Sequence, residues 1–287
     1  MLHPPGTIYR NARRSCQHAM VAWVLYSVIP APIACGSHDH YSLGSRQAGM
    51  ANVAVMFHDL WSVHHNQAGL AFLDKPTLGF HHENKFIVPQ YALEAIAFAH
   101  PTRYGTLAIN VNYFGYSQYN ETKAGLAFGK LLGARVAAGV QVDYLNTYIG
   151  EEYGNQGTVT CEAGLIVTPV EHLFIGAHVF NPVRAHLKAY PDEPIPVILR
   201  LGMGYLIRER IYLGAEAEKK LSHRPNYRAG LEFRFMQNLY FRSGISTSPS
   251  TQAFGLGYSL KGIRGDVAFT HHPVLGFTPH FSILIAF

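Results

Sequence analysis

The closing stretch Phe277 to Phe287 reads F-T-P-H-F-S-I-L-I-A-F. From Phe281 onward, Phe281, Ile283, Ile285 and Phe287 are large and apolar at every second position, with small Ser282 and Ala286 between them. A two-residue period is the signature of a strand that shows different surroundings to its two faces. A bare apolar strand of this kind presents an open edge that templates pairing with other chains. Closure into a barrel removes the edge, because the last strand then pairs with the first. The chain is therefore expected to be all-β: an antiparallel transmembrane β-barrel closed by the strand carrying Phe281, Ile283, Ile285 and Phe287.

Composition agrees with this without deciding it. Charged residues make up 14% of the 287-residue chain, against roughly 25% in an ordinary soluble domain. Lys and Arg are scattered, with no basic run beyond Arg13-Arg14, so nucleic acid is not an expected partner despite a net charge of +5. No stretch has the apolar length of a membrane-crossing helix, so a chain that spans a membrane must do so with strands.

The first 36 residues have the layout of a secretory signal. Arg10, Arg13 and Arg14 precede the apolar run Ala19 to Ile29, and Ala34-Cys35-Gly36 offers a small-residue cleavage site. Cys35 is alternatively a lipidated residue after Pro32-Ile33-Ala34. Cys161 is then the one cysteine remaining, which leaves no disulfide within the mature chain.

Three segments are expected: a signal over 1–36, a hatch over 37–75 and a barrel over 76–287. After Asp74 about fourteen alternating segments follow, most of the length needed to cross a bilayer at a tilt. An even number puts both termini on one side, where the connections are tight. Longer connections, such as Asn181 to Pro194, fall on the other side.

Alternation also assigns the faces. Tyr227, Ala229, Leu231 and Phe233 alternate with Arg228, Gly230, Glu232 and Arg234. A charge facing lipid at mid-membrane costs about 2–4 kcal/mol, so the charged parity is assigned inward. The inward set is Glu83, Lys85, Glu94, Asp143, Glu162, Arg200, Glu216, Glu218, Lys220, Arg228, Glu232, Arg234, Arg242, Arg264 and Asp266. The signs nearly balance, which suits a salt-bridged and largely filled interior; a greasy tunnel should show more Leu, Phe and Met there. Tyr104, Tyr113, Tyr116, Tyr144, Tyr205, Tyr212 and Tyr240 are assigned to interfacial girdles.

The pairs His64-His65, His81-His82 and His271-His272 invite a metal. Neighbours on a strand face opposite ways, so no metal site is assigned to them. No nucleophile motif such as Gly-x-Ser-x-Gly occurs, and neither a catalytic residue nor a cofactor is expected.

Two stretches carry a family resemblance. The terminal strand ending in Phe resembles the end of Gram-negative outer-membrane barrels, which implies recognition by the barrel-assembly machinery. Residues 44–73 do not alternate. They contain Ser45-Arg46-Gln47-Ala48-Gly49-Met50 and then Asn66-Gln67-Ala68-Gly69-Leu70. This resembles the opening of FadL-like outer-membrane barrels, including the PorV/PorQ-like proteins of Bacteroidetes, with Gln67 where that family usually has Pro. Leu78 to Phe86 and His272 to Gly276 add to the likeness. The resemblance implies a hatch folded into the barrel mouth through Ser45, Arg46, Gly49, Met50, Asn66, Ala68, Gly69 and Leu70. It also implies integral outer-membrane location with periplasmic termini, and lipid as a partner. For function it implies either a subunit of a secretion or assembly complex, as in type IX secretion, or a transporter of small hydrophobic or amphipathic compounds. Short outer loops and charged inner faces put the subunit first.

Overall fold

The computed structural model describes residues 41, 43–150, 154–187, 195–221 and 223–287. The signal segment, Cys35 and the first residues of the expected hatch lie outside the described residues.

Fourteen antiparallel strands close into one barrel, each paired with its sequence neighbours and the first with the last. They are β1 (Thr77–Asn84), β2 (Ala92–Thr102), β3 (Gly105–Tyr116), β4 (Tyr119–Leu131), β5 (Val136–Ile149), β6 (Gly154–Val167) and β7 (Leu173–Phe180). The second half comprises β8 (Ile198–Ile207), β9 (Ile211–Lys220), β10 (Asn226–Arg234), β11 (Leu239–Thr247), β12 (Ser250–Leu260), β13 (Ile263–His272) and β14 (Gly276–Ala286). The closing seam runs in register from Thr77 opposite Ala286 to Glu83 opposite His280. Closure leaves no unpaired strand edge, which is what the sequence of β14 requires.

The start of β1 and the end of β14 share one end of the barrel, called the near end here. Near-end connections are tight: Arg208 and Glu209 make theirs with φ of 47 and 54, a left-handed pair that suits a two-residue hairpin. The far end carries the long connection between β7 and β8.

Alternation separates two very different surfaces. Outward residues are large, apolar and exposed, as with Leu107, Ile109 and Val111 on β3, Leu199, Leu201 and Met203 on β8, and Phe281 and Ile283 on β14. Phe287 is also exposed, and Ile285 is half-buried between Leu78 and Ile263. No helix among the described residues is long and apolar enough to cross a membrane.

The segment from Leu43 to Leu70 lies against the inward faces and is almost wholly buried. It holds two single-turn helices, α1 (Ser45–Ala48) and α2 (Ser62–His65), and a 3-10 helix over Gln67–Phe72. Between α1 and α2 the chain turns through Ala51 and Asn52 at φ of 53 and 65. The segment's own turns satisfy most of its backbone groups, and wall side chains meet several of the others, among them the N–H groups of Ser45, Ala54 and Val55 and the Asn52 carbonyl.

Candidate functional site

Where the segment passes, the wall is made of glycine. Gly129 of β4 pairs with Gly139 of β5, which pairs with Gly164 of β6. Gly214 of β9 pairs with Gly230 of β10, which pairs with Gly244 of β11. A Cβ at Gly129 would stand 2.5 Å from the Gln67 carbonyl oxygen. At Gly139 or Gly244 it would collide with the backbone at Gln67-Ala68 or Met50-Ala51. These glycines are therefore a trough cut to the shape of the segment.

Charges flanking the trough fasten the segment at several points. The Glu216 carboxylate accepts from the backbone N–H of Ala54 (2.8 Å) and Val55 (3.0 Å). Arg200 Nε donates to the same carboxylate at 2.6 Å, and its Nη2 donates to the Asn52 carbonyl at 3.0 Å. Arg228 completes this group, pairing with Glu216 at 3.2 Å and Glu218 at 2.9 Å. A second group centres on Arg46, which grips Glu232 at 2.7 and 2.9 Å and Asp59 at 3.1 Å. Arg242 bridges Glu232 (2.6 Å) and Asp266 (2.8 Å), and Arg264 bridges the same two acids. In a third group Lys123 lies between Glu162 and Asp143, and Gln67 Nε2 donates to Glu162 at 2.7 Å. Buried charges held this way have partners on both sides, which is the condition for burying them at all.

Histidines of the segment stay neutral. His65 donates from Nε2 to the Leu43 carbonyl (2.8 Å) and accepts from Arg200 Nη1 at Nδ1 (3.1 Å). Burial, reinforced by the Arg200 charge, holds its pKa well below the usual histidine range. His58 stacks on Phe72 with ring centres 3.8 Å apart, and burial with the nearby Arg46 charge lowers its pKa to about 4.

Elsewhere the interior mixes polar and apolar side chains, and in two of its apolar clusters the segment supplies most of the large ones. Leu60, Trp61 and Leu70 pack against Leu93, Ala95, Ala97 and Ala99 of β2 and Leu284 of β14. Met50, Val53, Met56 and Phe57 form a second cluster with Tyr212. A wall of glycine and alanine faced by Leu, Met and Trp explains why the strands alone gave no sign of apolar lining.

The eight expected hatch residues, Ser45, Arg46, Gly49, Met50, Asn66, Ala68, Gly69 and Leu70, all lie in the inner segment, seven of them buried and Arg46 half-buried. Asn66 caps the 3-10 helix by accepting from Ala68 N–H and donates to the Val55, Leu165 and Ala177 carbonyls. Gln67 spans from Val63 O to Glu162, a reach that Pro lacks. Of the inward charges, Glu83, Asp143, Glu162, Arg200, Glu216, Glu218, Glu232, Arg242 and Asp266 are buried on inner faces. Arg228, Arg264, Lys220 and Arg234 are half-buried on the same parity.

Three facings, those of Glu94, Tyr212 and Tyr240, and the strand bound at Lys85 need correction. Glu94 points outward, 3.7 Å from His82, because Leu93 and Ala95 take the inner positions of β2. Lys85 is not on a strand: β1 ends at Asn84, and the chain turns at Phe86 and Ile87 with φ of 57 and 59. Its ammonium nonetheless lies on the inner side, over the rings of buried Tyr41 and of Phe114, which packs against the core. Tyr212 faces inward against Phe57, following the parity of Glu216. Tyr240 faces inward beside Arg242 and Arg264. Two inner charges were missed, Lys123 and Glu121, although both share the parity of Gly125 and Gly129 on β4. His81 and His82 do point opposite ways, yet His81 meets Glu83 and His280 across the seam.

No protein-family model and no curated protein matches the sequence. Solved structures do. The toluene transporter TodX of Pseudomonas putida superposes with a TM-score of 0.66 at 11% identity, over 87% of this chain and 99% of that one. The toluene transporter TbuX of Ralstonia pickettii gives 0.62 at 11% identity, over 85% and 97%. A FadL homologue of Pseudomonas aeruginosa gives 0.60 at 11% identity, over 84% and 97%. The fold is that of the FadL-like barrels.

Proposed function

We propose that this chain is an integral outer-membrane barrel that passes small hydrophobic or amphipathic compounds, with the segment from Leu43 to Leu70 as its hatch. The observation that carries the reading is a pair of interior apolar clusters whose large side chains come mostly from the inner segment. Leu60, Trp61 and Leu70 face an alanine wall on β2, and polar fasteners hold the same segment elsewhere. Displacing such a segment would open an aqueous gap bordered by an apolar sector. The likeness to toluene transporters supports the same order of readings. The secretion-subunit role has no comparable support: none of the reported structures is a PorV/PorQ-like protein, and nothing places the chain in Bacteroidetes.

The exposed apolar girth supports lipid as the surrounding phase; on this reading the near end and both termini face the periplasm, and the barrel-assembly machinery is the inserting partner. The protein is read as a conduit, without catalysis or cofactor.

The test is uptake. Cells lacking other hydrocarbon channels and expressing this chain should accumulate labelled toluene or a medium-chain fatty acid faster than cells expressing a variant with Leu60 and Trp61 changed to Asp. Equal rates, together with stoichiometric co-purification of other outer-membrane proteins in mild detergent, would restore the subunit reading.

A further inference from the structure

The closing seam holds a cluster that the hatch does not use. On the inner face of β1, His81 and Glu83 stand two residues apart, and β14 brings His280 directly opposite Glu83. All three are buried, at 3%, 2% and 2% exposure. His280 Nδ1 is 3.3 Å from Glu83 Oε2, His81 Nε2 is 4.0 Å from the same oxygen, and the three donor atoms all lie within 4.8 Å of one another. Both ring nitrogens of His81, Oε2 of Glu83 and Nδ1 of His280 lack a hydrogen-bond partner. Unsatisfied buried polar atoms are costly and rare, and three of these, His81 Nε2, Glu83 Oε2 and His280 Nδ1, converge on one point and call for an occupant.

We infer that His81, Glu83 and His280 bind a divalent cation of the zinc type. Two imidazoles and one carboxylate are the donors that zinc prefers, and at bond lengths of about 2.0–2.2 Å a tetrahedral ion sets its ligands about 3.3 Å apart. The cluster reaches that spacing by closing the 4.0 Å gap by about 0.7 Å and the remaining gap, at most 4.8 Å, by at most about 1.5 Å, within the range of side-chain rotations. The outer support is also present: His280 Nε2 lies 3.1 Å from Thr270 Oγ1, which orients the ring with Nδ1 toward the centre. Trp61 lies edge-on to His81 and walls the site on the hatch side. Three protein ligands leave the fourth position to water. Because the ligands come from the first and the last strand, the ion is a staple across the one junction of the barrel that joins residues distant in sequence.

Metal content tests this independently of transport. The full chain, purified in detergent, stripped with EDTA and dialysed against Zn2+, should retain one zinc per chain and unfold at a higher temperature than the stripped form. Cobalt substituted for zinc should give the intense visible bands of a four-coordinate histidine site. His81→Asn, Glu83→Gln and His280→Asn should each weaken zinc binding by about 100-fold or more. Thr270→Val should weaken it by about 10-fold, as losing an outer-shell partner does. His82→Asn, on the opposite face of the same strand, should bind as the parent does. The inference fails if the parent chain retains no zinc and gives no cobalt spectrum, or if His82→Asn loses the metal while His280→Asn keeps it. Should a ligand variant not fold, the cobalt spectrum of the parent chain and the His82→Asn control still decide.

Discussion

Glu216→Gln is the sharpest probe of how the inner segment is held. The substitution keeps shape and removes charge. Glu216 receives two backbone N–H groups from Ala54 and Val55 and the guanidinium groups of Arg200 and Arg228. A glutamine presents one accepting oxygen and one amide NH2, so either the backbone donors or Arg200 must face a donor. A hydrogen bond to a charged group is worth about 1.5–3 kcal/mol, and a buried donor left unmet costs a similar amount. Arg200 and Arg228 keep Glu218 at 3.8 and 2.9 Å, which offsets part of the loss. The net is about 3 kcal/mol, or about 100-fold in the opening equilibrium of the segment. Hydrogen exchange of peptides covering residues 44–73 reads this directly, since local opening sets the exchange rate. Those peptides should exchange about 100-fold faster in the variant, while peptides from β3 and β4 stay unchanged and the barrel keeps its heat-dependent shift on SDS gels. Unchanged protection at residues 44–73 in an intact barrel would refute the idea that Glu216 fastens the segment.

Three further outcomes follow from the same geometry. Gly139→Val places side-chain atoms where Gln67 and Ala68 run and should unseat the segment, whereas Gly133→Val, with open space around its Cβ position, should leave exchange as in the parent. Acid should loosen the segment. His58 is held neutral with a pKa near 4 against an ordinary 6.5, so the unfolded or released form takes up protons first and stability falls as pH drops from about 6.5 to about 4. At 1.36 kcal/mol per unit the loss from His58 is about 3 kcal/mol; barrel conductance that does not rise between pH 7 and pH 4.5 would contradict this. Glu94→Leu, on the lipid-facing side, should leave the thermal midpoint unchanged or raise it, and a drop of several degrees would show that its pairing with His82 matters.

Strand-level features were legible because they are local. Each strand carries its own period of two, so the fourteen segments and the inward parity of Glu216, Arg228 and Arg242 follow from a few residues of context. The inner segment was legible by the opposite sign, a run without alternation between residues 44 and 73. Errors arose where the local signal points the wrong way. On β2 the inner wall is alanine because Leu60 and Trp61 press on it, so the acidic Glu94 resembled a lumen residue while pointing out. At Lys85 the strand ended sooner than its composition suggested, since Phe86 and Ile87 adopt left-handed backbone that their side chains do not advertise. The cluster of His81, Glu83 and His280 depends on the register between the first and last strands, about two hundred residues apart, which no local pattern encodes.

The glycine trough also bears on what the surrounding membrane contributes. Most barrels owe their integrity to backbone pairing and to lipid pressing on the outside. Here Met50, Met56, Trp61 and Leu70 are shut in at 1% exposure or less, so the molecule encloses a packed apolar core of the kind a water-soluble domain possesses. Exchanging lipid for detergent alters contacts on the girth alone and leaves that core untouched. The thermal midpoint should therefore vary little among bilayers and micelles of different thickness, and should follow the fit between wall and segment instead.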